Sequence, residues 1–282
     1  MPIIIVSNKD LAGQTIKQQL LEIYDFKETE RQFEGNIIFE DPKTKVPIIT
    51  INRRLIEADH LSEFFTTDLF IFASKHKSES ERPSLLVHAT GNWTNDNNFG
   101  GNPLELALTS GTVIKQALIE LTRRQEETQL DYDVTSEVTH HGPTNLKSPS
   151  IFIELGSNEA AWCDSMGARV VAETILEIIR GSLPKKQLKY AIGFGGTHYA
   201  NNFNKIQLKT DYAISHIAPK YVLDTVTESL VLQAINKTIE DVKYAVLDWK
   251  GMVKVQRDKL IPILSELNIE VVRIQKGFTN LI

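Results

Sequence analysis

The strongest constraint on how this chain can fold is an alternation. Apolar runs short enough to be single strands recur at residues 2–6, 68–74, 85–88, 150–155, 189–194, 244–248 and 270–274. Between them, residues 11–24, 104–127, 158–180, 222–237 and 254–267 carry apolar side chains at helical spacing. Strands that read as continuous apolar runs are those buried on both faces. Strands alternating with helices assemble into a largely parallel sheet covered by helices on both faces. The expected architecture is therefore α/β, a single domain over residues 1–282 with one mostly parallel mixed sheet. Residues 35–40 and 46–52 predict a hairpin around Asp41-Pro42-Lys43-Thr44, and residues 210–216 a further short strand. The run NDNNFGGNP at 95–103 is too rich in turn-forming residues for regular structure, and Gly181 is placed to end the helix before it.

Composition removes several function classes. With 282 residues, 41% hydrophobic and 24% charged, the chain can bury a substantial core. No apolar run approaches the roughly 20 residues that a membrane span needs. The start, MPIIIVSNKD, lacks a basic segment before its short apolar run and reads as a first strand rather than a signal peptide. Cys163 is the single cysteine, which excludes an intrachain disulfide and a thiolate-rich zinc site. A soluble, cytoplasmic monomer with no membrane or DNA partner is expected. A net charge of -5 argues against a general nucleic-acid coat. Local basic pairs at Arg123-Arg124 and at Lys185-Lys186 with Lys189 leave an RNA contact open, though solvated helix ends read the same way.

The chemistry concentrates where apolar strands give way to loops. His88, the pair His140-His141 and His198 each stand at such a place, followed by Gly- or Thr-rich residues, whereas His60, His76 and His216 lie elsewhere and are set aside. One histidine after a strand is ordinarily a loop residue; four at three comparable strand ends form a pattern. Glu154 interrupts the apolar run IFIELG, and an ionisable group there needs a partner or a ligand. Two readings compete. Histidine and glutamate side chains hold zinc with an open position for water, or a histidine acts as a general base without metal. No compact motif such as HExxH decides between them. Asn8, Asn92, Thr94 and Thr144 are candidates for hydrogen bonds to substrate, and Glu159 sits in the first turn of a helix, where a carboxylate also complements the dipole. Gly196-Thr197, within GFGGTHY, offers backbone N–H groups to a phosphate, but fits no established nucleotide fingerprint. Trp93, Phe99 and Phe194 are the aromatic residues near these segments that could stack on a base.

SNKDLAG, HATGNW, the Asn/Gly-rich loop, THHGPT, ELGSNEAAW and GFGGTHY occur here in the order found in the archaeal and plant type of D-aminoacyl-tRNA deacylase, which the chain resembles from Ser7 to Tyr199. The resemblance implies hydrolysis of the ester joining a D-amino acid to the 3′ end of tRNA, zinc dependence, and a fold similar to peptidyl-tRNA hydrolase and the nucleoside phosphorylases. His88, His140, His141, Glu154, Glu159 and His198 fall in the matching blocks. The expectation is zinc on some of His88, His141, Glu154 and His198, with His140 protonating the leaving ribose oxygen. A zinc-dependent aminopeptidase or amidohydrolase acting on a small substrate, and an RNA-binding protein without chemistry, are the alternatives.

Overall fold

The apolar runs do form buried strands, but in the computed structural model, which describes residues 1–181 and 187–274, they divide between two sheets. β1 (Ile3–Ser7), β2 (Lys27–Phe33), β3 (Asn36–Glu40), β4 (Pro47–Ile51), β5 (Phe70–Lys75), β6 (Ser84–His88), β7 (Asp133–Ser136) and β8 (Ser150–Gly156) build the larger one. Their spatial order is β2-β3-β4-β1-β5-β8-β6-β7. The core pairs β4–β1–β5–β8 are parallel, β2–β3–β4 is an antiparallel meander, and β6 runs antiparallel to β8. β9 (Lys189–Phe194), β10 (Tyr212–Ala218), β11 (Tyr244–Leu247) and β12 (Glu270–Arg273) form a separate parallel sheet in the order β10-β9-β11-β12. The mostly parallel α/β character holds, and the second sheet corrects the expectation of one.

Eight helices complete the described residues: α1 (Leu11–Ile23), α2 (Leu61–Phe64), α3 (Gly111–Thr128), α4 (Glu159–Trp162), α5 (Ser165–Ile179), α6 (Asn201–Lys209), α7 (Glu228–Asn236) and α8 (Lys254–Glu266). On the large sheet, Ile4, Val6, Ile71, Ile151 and Ile153 pack under Ile16, Leu118 and Ile175 of α1, α3 and α5. Its other face, with Ile5, Ile51, Phe72 and Phe152, is covered by a short 3₁₀ turn at Leu55–His60, by α2, and by Leu146 from a loop. Loops rather than long helices therefore roof this second face, and they leave room for a cavity. The small sheet is covered by α7 and α8 on one side and by α6 on the other. None of the described helices is long and apolar enough to cross a membrane.

Several helix boundaries move inward from the expected ones, each for a capping reason. Leu104 sits in a turn with φ +52°, residues 105–110 are not helical, and α3 starts only at Gly111, where the Ser110 hydroxyl accepts from Val113 N and the Glu240 carboxylate accepts from the N–H groups of Gly111 and Thr112. The predicted helix 158–180 is two, because Asp164 caps a new start by accepting from Met166 N at 2.9 Å. Thr227 likewise caps α7, and residues 223–227 before it are not helical, a short 3₁₀ turn at Lys220–Val222 preceding them. Gly181 ends α5 in the left-handed region, as expected. Lys185 and Lys186 lie outside the described residues.

α3 joins the two sheets. Buried Lys115 donates to the carbonyls of Thr210 at 2.6 Å, Tyr212 at 2.9 Å and Gln207. Three carbonyls from α6 and β10 thus converge on one ammonium projecting from a helix that also packs against the large sheet.

Candidate active site

The strand that sets the site is β8. Side chains alternate along a strand, so Ile151, Ile153 and Leu155 face the long helices while Phe152 and Glu154 face the loop-roofed side. β6 lies antiparallel beside it with His88 opposite Phe152. His88 thus ends its strand above the middle of its neighbour, and Glu154 projects from a strand interior rather than from a strand end. After β7 the chain continues as Glu137–Val138–Thr139 and bridges the sheets. Glu137 N donates to Val87 O, while Thr139 exchanges hydrogen bonds with Ile217 of β10, its N donating to Ile217 O and its hydroxyl accepting from Ile217 N. His140 and His141 follow at once and are held against His88.

The result is one contiguous cluster. The ring of His140 lies 4.3 Å from that of His88, 4.5 Å from His141 and 4.8 Å from His198, centroid to centroid. Phe152 forms an apolar floor under His88 and His141. The Nδ1 atoms of His88, His140 and His141 stand 3.0, 2.9 and 2.7 Å from the carbonyl oxygens of Ala89, Val138 and Gly142. A carbonyl can only accept, so Nδ1 carries a proton in each ring and Nε2 is the atom left to face the cluster.

Two residues that the sequence reading passed over complete it. His76 follows β5 directly, and its Nδ1 is 3.4 Å from an oxygen of Glu137 and 3.4 Å from one of Glu154. Glu137 is fully buried, with Oε1 3.0 Å from His198 Nε2. Their signal was present, since His76 also stands at the end of an apolar strand and Glu137 lies within the histidine segment.

Burial opposes charge on every group here, and neighbours decide the outcome. For His76 the two carboxylates outweigh burial and push its pKa up to about 11. His88 is buried too, yet Glu154, 3.8 Å from its Nε2, raises its pKa. Despite their burial, Glu137 and Glu154 are held well below the usual carboxylate range by the imidazoles around them. Burial and the neighbouring His88 push His141 down to about 4 and His140 well below its ordinary value.

Three overlapping sets of donors lie within 4.8 Å of one another: His88, His140 and His141; Glu137, His140 and His198; and His76, Glu137 and Glu154. Nitrogen and oxygen donors at about 2.1 Å from a tetrahedral ion stand roughly 3.4 Å apart, close to the 3.0 Å between His198 and Glu137 and the 3.4 Å between His76 and each carboxylate in the second and third sets. His88 Nε2 and both oxygens of Glu137 are buried without a well-aligned hydrogen-bond partner among the described residues. Uncompensated buried polar atoms of that kind are costly; a cation in the first set would satisfy His88 Nε2, and one in either of the others a Glu137 oxygen. The residues fit a metal.

His76, His140, His141, Glu154 and His198 form the floor of a cavity of about 370 Å³, whose wall also includes Lys9, Arg54, Leu55, Ile56, Lys75, Lys77 and Phe99, while His88 and Glu137 are buried and do not line it. That size accommodates the end of a substrate rather than a folded macromolecule. The predicted substrate contacts do not converge on it. The Asn8 amide is engaged by Asn36 and Asn52, and Thr94 lies in the loop, where its hydroxyl accepts from Asp96 N. Asn92 donates to the carbonyls of Gly100 and Asn102, and Thr144 accepts from Asn102 N, so both brace the 95–103 loop. Glu159, Gly196 and Thr197 do not line the cavity, and Gly196 N is directed to Gly251 O. Of the proposed basic patches, Arg123 pairs with Glu120 and Glu127, and Arg124 with Glu173; Lys189 lies over the rings of Tyr212 and Tyr244.

A family model described as D-aminoacyl-tRNA deacylase matches residues 63–272. A D-aminoacyl-tRNA deacylase of Thermococcus onnurineus is 37% identical over 97% of this chain and 100% of its own length. Its counterpart in Methanosarcina barkeri is 39% identical over 96% of this chain and 88% of its own. Among solved structures, that of AF0625, a conserved protein of unknown function, aligns with a TM-score of 0.88 at 32% identity, covering 98% of this chain and 96% of that one.

Proposed function

Given that the chain belongs to the D-aminoacyl-tRNA deacylase family and is accordingly a hydrolase of the ester between a D-amino acid and tRNA, we propose that the ester is cleaved over the His88–His140–His141 cluster, with zinc held by the Nε2 atoms of those three rings. The observation that carries this reading is the shared orientation of the imidazoles. Each Nδ1–H is anchored to a carbonyl, and each Nε2 is turned towards the same space beside two buried carboxylates. Zinc bound there would polarise the ester carbonyl and make a water acidic near neutral pH.

The chain's own groups do the rest. Glu137 accepts a proton from the attacking water, and His198, 3.0 Å from it at the cavity edge, delivers a proton to the departing ribose oxygen. This exchanges the roles first expected of His140 and His198: His140 is held neutral by burial and by its imidazole neighbours, which suits a lone-pair donor better than an acid. His76 touches both carboxylates and acts by positioning them. Leu55 and Ile56 on the cavity wall receive the amino-acid side chain.

The test is to charge one tRNA separately with D-tyrosine and L-tyrosine and to follow ester loss before chelation, after it, and after zinc is restored. Loss of the D-ester that stops on chelation and returns with zinc is expected. D-selective hydrolysis indifferent to chelation would overturn the zinc reading and leave the histidine–carboxylate chemistry to act alone.

A further inference from the structure

The rim of the cavity carries groups that the chemistry above does not use. Lys9 follows β1, Lys75 ends β5 and Lys77 comes two residues later; all three are exposed and line the cavity. None has a carboxylate within ion-pair distance among the described residues, whereas Arg82, Arg123 and Arg124 elsewhere are neutralised by Asp131, Glu120 and Glu173. Among the acidic residues of the cavity, Asp10 attracts the Lys75 ammonium, which also lies 5.4 Å from the centroid of the Trp162 ring, so Lys9 and Lys77 are the less engaged of the three. Asp10 is directed to Gly13 N and Lys75 N, where it caps α1, and Glu154 is enclosed by His76 and His88. A chain of net charge -5 thus surrounds its reaction cavity with positive charge.

Phe99 stands on the same rim. Its side chain is 65% exposed, yet its backbone is tightly held. Phe99 O accepts from Gly142 N at 3.1 Å and Gly100 O from Asn92 Nδ2 at 2.9 Å. Gly100 has φ +82° and lies so near Ile56 that a Cβ would meet its carbonyl oxygen at 2.1 Å. A large apolar ring on a fixed backbone beside a catalytic cavity is preorganised to cover something flat. The other two candidate stackers, Trp93 and Phe194, are buried.

We propose that this rim grips the 3′-terminal nucleotide of the tRNA, Phe99 stacking on the terminal base while the ammonium groups of Lys9, Lys75 and Lys77 neutralise the phosphates leading to it. The inference rests on the deacylase reading and deepens it. An unpaired end offers an exposed base face and a flexible phosphate backbone, and aromatic stacking with cationic contacts is how such ends are held without sequence preference.

The test compares kcat and KM for D-tyrosyl-tRNA over a range of salt in the wild type, in Phe99→Ala, in Phe99→Trp, and in the combined Lys9→Ala, Lys75→Ala, Lys77→Ala variant. Lys43→Ala, Lys205→Ala, Lys209→Ala serves as a control for bulk charge. Phe99→Ala should raise KM roughly tenfold, with kcat changing far less, and Phe99→Trp should restore it. The rim-lysine variant should flatten the dependence of log(kcat/KM) on log salt by about 2, near 0.7 for each single-strand phosphate that is no longer neutralised, while the control keeps the wild-type slope. Turnover of the D-tyrosine ester of adenosine, which lacks phosphates, should be nearly independent of salt. An unchanged KM in Phe99→Ala, or a slope that falls equally in both lysine variants, would overturn the rim proposal while leaving deacylation intact. Absence of D-tyrosyl-tRNA hydrolysis by the wild type would overturn the reading beneath it.

Discussion

Acid should loosen the support beneath the clustered histidines, and His216 supplies a calculable part of that loss. His216 lies on β10, fully buried, with Nδ1 3.2 Å from the hydroxyl of Thr139, the residue before His140. Burial pushes its pKa down from 6.5 to about 4. In the unfolded chain the imidazole regains its ordinary value, so between about pH 4 and 6.5 the unfolded state binds a proton that the folded state does not. Stability from this residue is therefore fully present above pH 6.5 and is lost as pH falls towards 4. At 1.36 kcal/mol per pH unit the complete loss is about 3 kcal/mol, of which roughly 2.5 kcal/mol should be gone at pH 4.5. Other buried groups titrate in the same range, so the measurement is a difference. Denaturant unfolding of wild type and His216→Gln, both chelated, is followed at pH 7.5 and 4.5. The variant should start less stable and then lose about 2.5 kcal/mol less than wild type on acidification. An equal loss in the two proteins would refute the claim that His216 is held neutral in the fold.

Two substitutions probe other joints of the structure. Glu137→Gln keeps the shape of the side chain but removes the charge between His76 and His198; kcat for D-tyrosyl-tRNA should fall by about 10²-fold or more. Near-normal turnover would remove Glu137 from the proton path. Lys115→Met leaves three buried carbonyls without their ammonium and should cost about 3 kcal/mol, read as a fall in Tm of roughly 5–10 °C; an unaltered Tm would show that the carbonyls find other partners.

The strands that were legible in the sequence are those buried on both faces, such as β1, β5 and β8, because their apolar runs leave no other use for themselves. β2 was missed for the opposite reason. KETERQF lies at the sheet edge, largely exposed, so neither face imposes an apolar pattern. The split into two sheets was also hidden, since pairing of β9 with β10 and β11 rather than with β8 depends on contacts such as Lys115 that join segments nearly a hundred residues apart. His88, His140, His141, Glu154 and His198, which the structure brings together, are legible in the sequence because each breaks an apolar or Gly-rich context. His76 was lost in a charged loop, and Glu137 looked like one more polar residue of a polar segment. The candidate substrate contacts Asn8, Asn92 and Thr144 are engaged in holding loops together, a use that the sequence does not distinguish from holding a ligand.

The reversed direction of β6 separates two things that most α/β enzymes keep together. Glu154 is secured by a ladder on both sides and His88 closes the strand next to it, whereas Phe99, Arg54 and Lys77 stand on connecting segments around the mouth. Lengthening or exchanging those segments would leave the donor atoms where the sheet puts them. The chain is in effect a fixed hydrolytic anvil with an interchangeable collar, and its range of acceptable esters should be alterable from the collar alone.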